Sequence, residues 1–181
     1  MIILLKNKYS HERYMDRDSF ENQLIRKLEE NMKKVFFENI AKDIENNKFD
    51  SSFSLLSEIK QRICSLVPNR TDIHAEFNEH LDVDFYKQIH SNGALDINMI
   101  HGIMNFIVDK IKQFGSLEDE PWNEIWKTQL VVKIKRGDQL NTLLPDFFKE
   151  AMHRLDKIEN EIIAFKQSDL YKYLSEKRSK N

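Results

Sequence analysis

Glu150 and His153 form a Glu-x-x-His pair, which places a carboxylate and an imidazole on one face of a helix. That arrangement can ligate a metal ion, but a di-iron bundle site needs two such pairs and two further glutamates. No second Glu-x-x-His occurs, so no metal ligand is assigned. Glu76 and His80 share a face at four-residue spacing and read as a surface hydrogen bond. Asp72 and His74 offer no more than that. Nucleophilic catalysis needs a nucleophile, a base and a group to orient the base. Cys64, the single cysteine, lies beside an apolar stripe and reads as a buried structural thiol. His101 sits among Ile100, Ile103 and Met104 and is expected at the edge of the core. There is no Walker motif and no Gly-x-Gly-x-x-Gly, and only four glycines exist to cradle a phosphate. No catalytic residue, cofactor or metal is therefore expected.

Recognition chemistry has better candidates. Trp122 and Trp126 are one helical turn apart and carry a large apolar area on one face. Either they close the core or they form a recognition surface, since tryptophan is enriched at binding hot spots. Phe37 follows Val35 and Phe36 and is expected to point away from its helix's main stripe, towards a neighbour. Trp122, Trp126 and Phe37 are the candidate partner-binding residues. Asp82 and Asp96 stand where helix N-caps are expected, and capping alone explains them.

Composition limits the class of protein. A chain of 181 residues suits one domain able to bury its own core. With 40% hydrophobic and 32% charged residues it is globular, not disordered. A net charge of −2 lacks the basic excess expected of a nucleic-acid binder. Lys133-Ile134-Lys135-Arg136 and Lys177-Arg178-Ser179-Lys180 are basic but short, and read as solvated helix ends. No apolar run approaches the roughly 20 residues of a transmembrane helix. Met1-Ile2-Ile3-Leu4-Leu5 is too short for a signal peptide and is expected as a short strand or strap on the core. An intracellular, cytoplasmic protein is expected.

Helical spacing then supplies the elements. Phe20, Leu24, Leu28, Met32, Phe36, Ile40 and Ile44 predict one helix over about residues 19 to 47, opened by Asp18 and Glu21. Leu55, Leu56, Ile59, Ile63 and Leu66 predict a second, capped by Ser51 or Ser52 and stopped by Pro68. Short helices follow, one capped by Thr71 or Asn69 and bearing Ile73, Phe77 and Leu81, the other bearing Val83, Tyr86 and Ile89 and ended by Gly93. Asp96 opens a central helix lined by Ile100, Met104, Ile107 and Ile111, and Gly115 ends it. Pro121 belongs in the first turn of the next helix, which Gly137 closes. Pro145 is expected to open a last helix running to about residue 175, on the order of 45 Å at 1.5 Å per residue. The predicted fold is all-α: a multi-helix bundle with long N- and C-terminal amphipathic helices. It forms one domain, with a strap at 1–18, a helical core at 19–175 and a basic tail at 176–181.

Several runs carry a resemblance. Phe53-Ser54-Leu55-Leu56-Ser57-Glu58-Ile59-Lys60, Leu66-Val67-Pro68-Asn69-Arg70, Leu81-Asp82 and Gly93-Ala94-Leu95-Asp96 resemble the t-complex protein 11 family. Leu143-Leu144-Pro145 and Glu159-Asn160-Glu161 look like its next helical section. The resemblance implies an all-helical, non-enzymatic protein tied to signalling, in a family linked to cAMP and protein kinase A pathways and to sperm function. The chain departs from the family in length, and at Gly115-Ser116-Leu117-Glu118-Asp119-Glu120-Pro121-Trp122, where relatives carry a Cys-Ala-Pro-x-Arg-Asp-like segment. The expected function is that of a protein-interaction domain, a regulator or scaffold, with self-association open. An enzyme with an unfamiliar helical active site and a weak nucleic-acid or membrane-surface binder are the alternatives.

Overall fold

The computed structural model describes the backbone of residues 2–178 and the side chains of residues 20–178, except residues 172, 174–176 and 178. Its helices are α1 (Ile2–Glu45), α2 (Asp50–Leu66), α3 (Thr71–His80), α4 (Val83–Ser91), α5 (Ile97–Phe114), α6 (Glu120–Arg136), α7 (Leu140–Gln167) and α8 (Asp169–Arg178). A single 3-10 turn, Leu117–Asp119, precedes α6. No strand occurs among the described residues, and the fold is all-α.

The helix predicted from residue 19 starts at Ile2, so residues 2–18 form neither strand nor extended strap. The reason is local. No glycine or proline interrupts residues 2–45, and once nucleated a helix propagates through such residues. Met1 and residues 179–181 of the expected basic tail lie outside the described residues.

The chain divides into two compact units, residues 1–39 and residues 40–181. In the first, the apolar stripe from Phe20 to Phe36 is exposed. Phe37 is half-buried and packs edge-on against Phe36, with ring centroids 5.3 Å apart. In the second unit, Ile40 and Ile44, the last members of the stripe, join the core. That core is built from the faces the periodicity marked: Ile59 and Ile63 of α2, Phe77 of α3, Met104, Ile107 and Ile111 of α5, and Phe148 and Leu155 of α7. α5 packs on both α6 and α7, and α2 packs on α3, α4 and α7.

Caps divide into those the sequence identifies and those it does not. The Asp82 carboxylate accepts from the Phe85 N–H at 3.0 Å, and Asp96 accepts from the N–H groups of Asn98 and Met99. Gly93 (φ 67°) and Gly137 (φ 79°) take the left-handed conformation that ends α4 and α6. The predicted side-chain caps of α2 and α3 do not form, because those helices begin at Asp50 and Thr71 with Phe49 and Arg70 before them.

The last helix differs from its prediction at both ends. α7 begins at Leu140, so Pro145 lies inside it, just past the first turn. Its ring is buried beside Leu143, Leu144, Phe147 and Phe148, and that burial offsets the one helical hydrogen bond proline cannot make. At the other end the helix stops at Gln167, not residue 175. Ser168 takes an extended conformation, its hydroxyl donating to the Phe165 carbonyl and accepting from the Tyr171 N–H at 3.3 Å, which restarts the chain as α8.

Candidate functional site

The two tryptophans of α6 part company in the fold. Trp122 is 64% exposed and Trp126 only 8%. Trp126 stacks on Phe147 of α7, with centroids 6.0 Å apart and planes 18° from parallel. The guanidinium of Arg154 lies over its ring at 4.8 Å. Trp126 is therefore the floor of a groove between α6 and α7, and Trp122 and Ile125 stand exposed at its edge. The hollow above that floor has a volume of about 440 Å³, in the range of ligand-sized clefts. Lys133, Asp146 and Lys149 lie along its rim. Lys133 is paired with Asp146 at 2.9 Å, whereas Lys149 is exposed and holds no ion pair among the described residues.

A second hollow of about 260 Å³ shares Trp122, Glu150 and Arg154 with the first. It is polar. Glu150, His153, Arg154 and Lys157 recur at the i, i+3, i+4, i+7 spacing that lines one helix face. Arg154 bonds Glu150 at 2.6 Å, donates to the Asn123 side-chain oxygen, and reaches the Trp122 carbonyl at 3.4 Å. Lys157 pairs with Asp119, which also accepts from the Ser116 hydroxyl at 3.2 Å. Gly115 leaves room for the Asn123 side chain, because a Cβ there would lie 3.0 Å from its amide nitrogen.

The electrostatics of this hollow favour structure over acid-base work. The hydrogen bond from Lys157 holds the Asp119 carboxyl below its ordinary range, and Asp119 in turn raises Lys157. A general acid or base near neutral pH needs the opposite tuning. Because the Asp119 pKa is depressed on folding, its contribution to stability is present above about pH 4. It is lost as pH falls through the lower folded value. Asp119→Asn is expected to make the loss of thermal stability between pH 5 and pH 3 shallower than in the native chain, as read by melting temperature.

Most of the other candidates for chemistry are held in structural contacts of their own. Burial raises the Cys64 thiol, which keeps it from being an activated thiolate. The His74 imidazole sits 3.2 Å from the Cys64 carbonyl and 3.0 Å from that of Val67, closing the end of α2. His80 stacks on Phe106 and contacts the Glu76 carbonyl, while the Glu76 carboxylate takes Lys110 at 2.5 Å. His101 is half-buried on α5. No group of three metal-ligating side chains gathers among the described residues. In the basic segment of α6, Lys133 is committed to Asp146 and Arg136 to Asp138. No described helix is long and apolar enough to cross a membrane.

Sequence reasoning singled out Trp122 and Trp126 but missed Asn123, Arg154, Lys157 and Asp119. The polar spacing from Glu150 to Lys157 was the available signal. The T-complex protein 11 family matches the chain over residues 9–176. No curated protein and no solved structure matches it.

Proposed function

Because the chain belongs to the T-complex protein 11 family, we propose that it is a non-enzymatic helical interaction domain, a regulator or scaffold in signalling. The family is not a known enzyme family. The observation that carries the reading is Trp122, exposed over the α6–α7 hollow with Trp126 and Phe147 beneath it. A rigid aromatic edge above an apolar floor is the anatomy of a binding hot spot. Lys149 supplies a cation at the rim that has no ion pair among the described residues, so the fitting partner is an amphipathic protein segment that sets an apolar side chain against Trp122 and a carboxylate against Lys149. Phe37 is a second proposed contact. The link to cAMP and protein kinase A that the family resemblance implies is part of this reading, with a component of that pathway as the partner.

Affinity capture from native cell extract, read by mass spectrometry, tests it. Proteins retained by the native chain are expected to be lost with Trp122→Ala and weakened about tenfold with Lys149→Glu. Truncating a hot-spot tryptophan costs about 2 kcal/mol, roughly 30-fold in affinity. Trp122 is largely exposed, so its removal leaves the core intact. A bound set indifferent to both substitutions sinks the proposal.

A further inference from the structure

Between Phe20 and Phe36, α1 exposes seven large apolar side chains: Phe20, Leu24, Ile25, Leu28, Met32, Val35 and Phe36, each 46 to 66% accessible. Isolated exposed apolar residues are ordinary, but this set is contiguous. On a helix of 3.6 residues per turn these positions share one broad face. Arg26, Lys27, Glu30, Lys33 and Lys34 fall on the remainder of the surface, and Glu21 and Asn31 are the polar positions within the apolar arc. A helix so divided has a built face and a solvated back.

We infer that this face is the contact between two copies of the chain, paired antiparallel through residues 20–36. Two features select a second copy as the occupant. The first is area. The accessible part of the seven side chains is on the order of 800 Å², which is what each partner contributes to a specific protein interface. The second is symmetry. An isologous contact requires a patch complementary to itself. Ile25, Leu28, Met32 and Val35 follow the 3-4-3 spacing of a helix–helix seam. Run antiparallel, that seam sets Ile25 against the other copy's Val35 and Leu28 against its Met32. Each layer then joins side chains of like branching at Cβ: two β-branched residues in one, two without a β-branch in the other. Leu24 and Phe36 flank the seam and shield its ends. This contact uses none of the residues of the α6–α7 groove, so either proposal stands without the other.

Mass in solution, by light scattering or sedimentation of the full chain, tests the pairing. The native chain is expected at twice the monomer mass at about 10 µM and above, as befits an interface of this size. Leu28→Glu places a charge at the centre of the seam and is expected to return the chain to a monomer. Tryptophan emission, which reports on residues 40–181, checks that the variant stays folded. A native chain that is monomeric at ~100 µM overturns the proposal and leaves the face to a different occupant. A dimer that survives Leu28→Glu overturns it as well. Orientation is read in a Cys64→Ser background. Ile25→Cys together with Val35→Cys is expected to cross-link oxidised dimers, and Ile25→Cys alone is not. Efficient cross-linking through Ile25→Cys alone would show a parallel pair and overturn the antiparallel assignment.

Discussion

Phe147→Ala is expected to be the most damaging single change near the groove, costing about 3–5 kcal/mol. The ring is almost wholly buried. One face stacks on Trp126 at 6.0 Å, and Phe148 lies 5.5 Å away. Truncation removes the transfer energy of the ring and leaves a cavity that helices on either side cannot fill without moving. Aromatic stacking adds about 1 kcal/mol beyond area. In urea the unfolding midpoint should fall by about 1–2 M for a chain of this length. Phe147→Leu should recover most of the loss. The substitution also takes the support from beneath Trp126, so emission from that buried indole should shift to longer wavelength even where the chain remains folded. A midpoint within 0.3 M of the native value, roughly the uncertainty of such fits, would contradict this account of the groove floor.

Arg154→Ala ranks second, at about 2–3 kcal/mol. Arg154 ties the two helices of the groove together: it meets Glu150 on its own helix, Asn123 and the Trp122 carbonyl on α6, and the Trp126 ring beneath. Removing it leaves Asn123, almost fully buried, with an oxygen that has lost its charged donor, and leaves Glu150 without its cation. The cation–π contact contributes about 1 kcal/mol more. Glu150 is over a third exposed, which holds the total below that of a fully buried pair. Arg154→Lys should restore less than half, because an ammonium cannot bond Glu150 and Asn123 while also lying flat on an indole. In the binding experiment both Arg154 variants should weaken capture by loosening Trp122 from α7. Chemical denaturation separates the readings. If Arg154→Ala unfolds at the native midpoint, the side chain decorates the groove and does not hold it.

These two predictions share a location because α6 and α7 meet with unusual chemistry. α5 and α7 present continuous apolar faces, so their packing needs little explanation beyond burial. α6 offers Asn123, Trp126 and Leu130 at the corresponding positions, and the asparagine needs a partner. Arg154 meets that need. The pairing across α2 and α7, where Arg62 bonds Asp156 at 2.7 Å and Glu159 at 2.8 Å, follows the same logic at another edge of α7. Each site joins residues some 30 to 97 positions apart in the chain, so neither is visible as a local motif.

How much was legible follows from the range of the forces involved. Helix content, the apolar faces of α2, α5 and α7, the Asp82 and Asp96 caps and the left-handed glycines were all determined by the sequence. Each depends on residues within one or two helical turns, and helical periodicity encodes them directly. The family resemblance rested on the same core and cap residues. What the tertiary structure alone decided is which apolar side chains find a partner. Trp122 and Trp126 are equivalent by type and nearly so by helical position, yet one meets Phe147 and Arg154 and the other meets water. The stripe on α1 reads as one continuous face, but Ile40 and Ile44 are buried whereas its members from Phe20 to Phe36 are exposed. Pro145 is a helix breaker by its own chemistry and sits within α7 because the burial of its neighbours outweighs one missing hydrogen bond. Local sequence specifies what a residue prefers, whereas burial is a property of pairs, and the second member of each pair lies far along the chain.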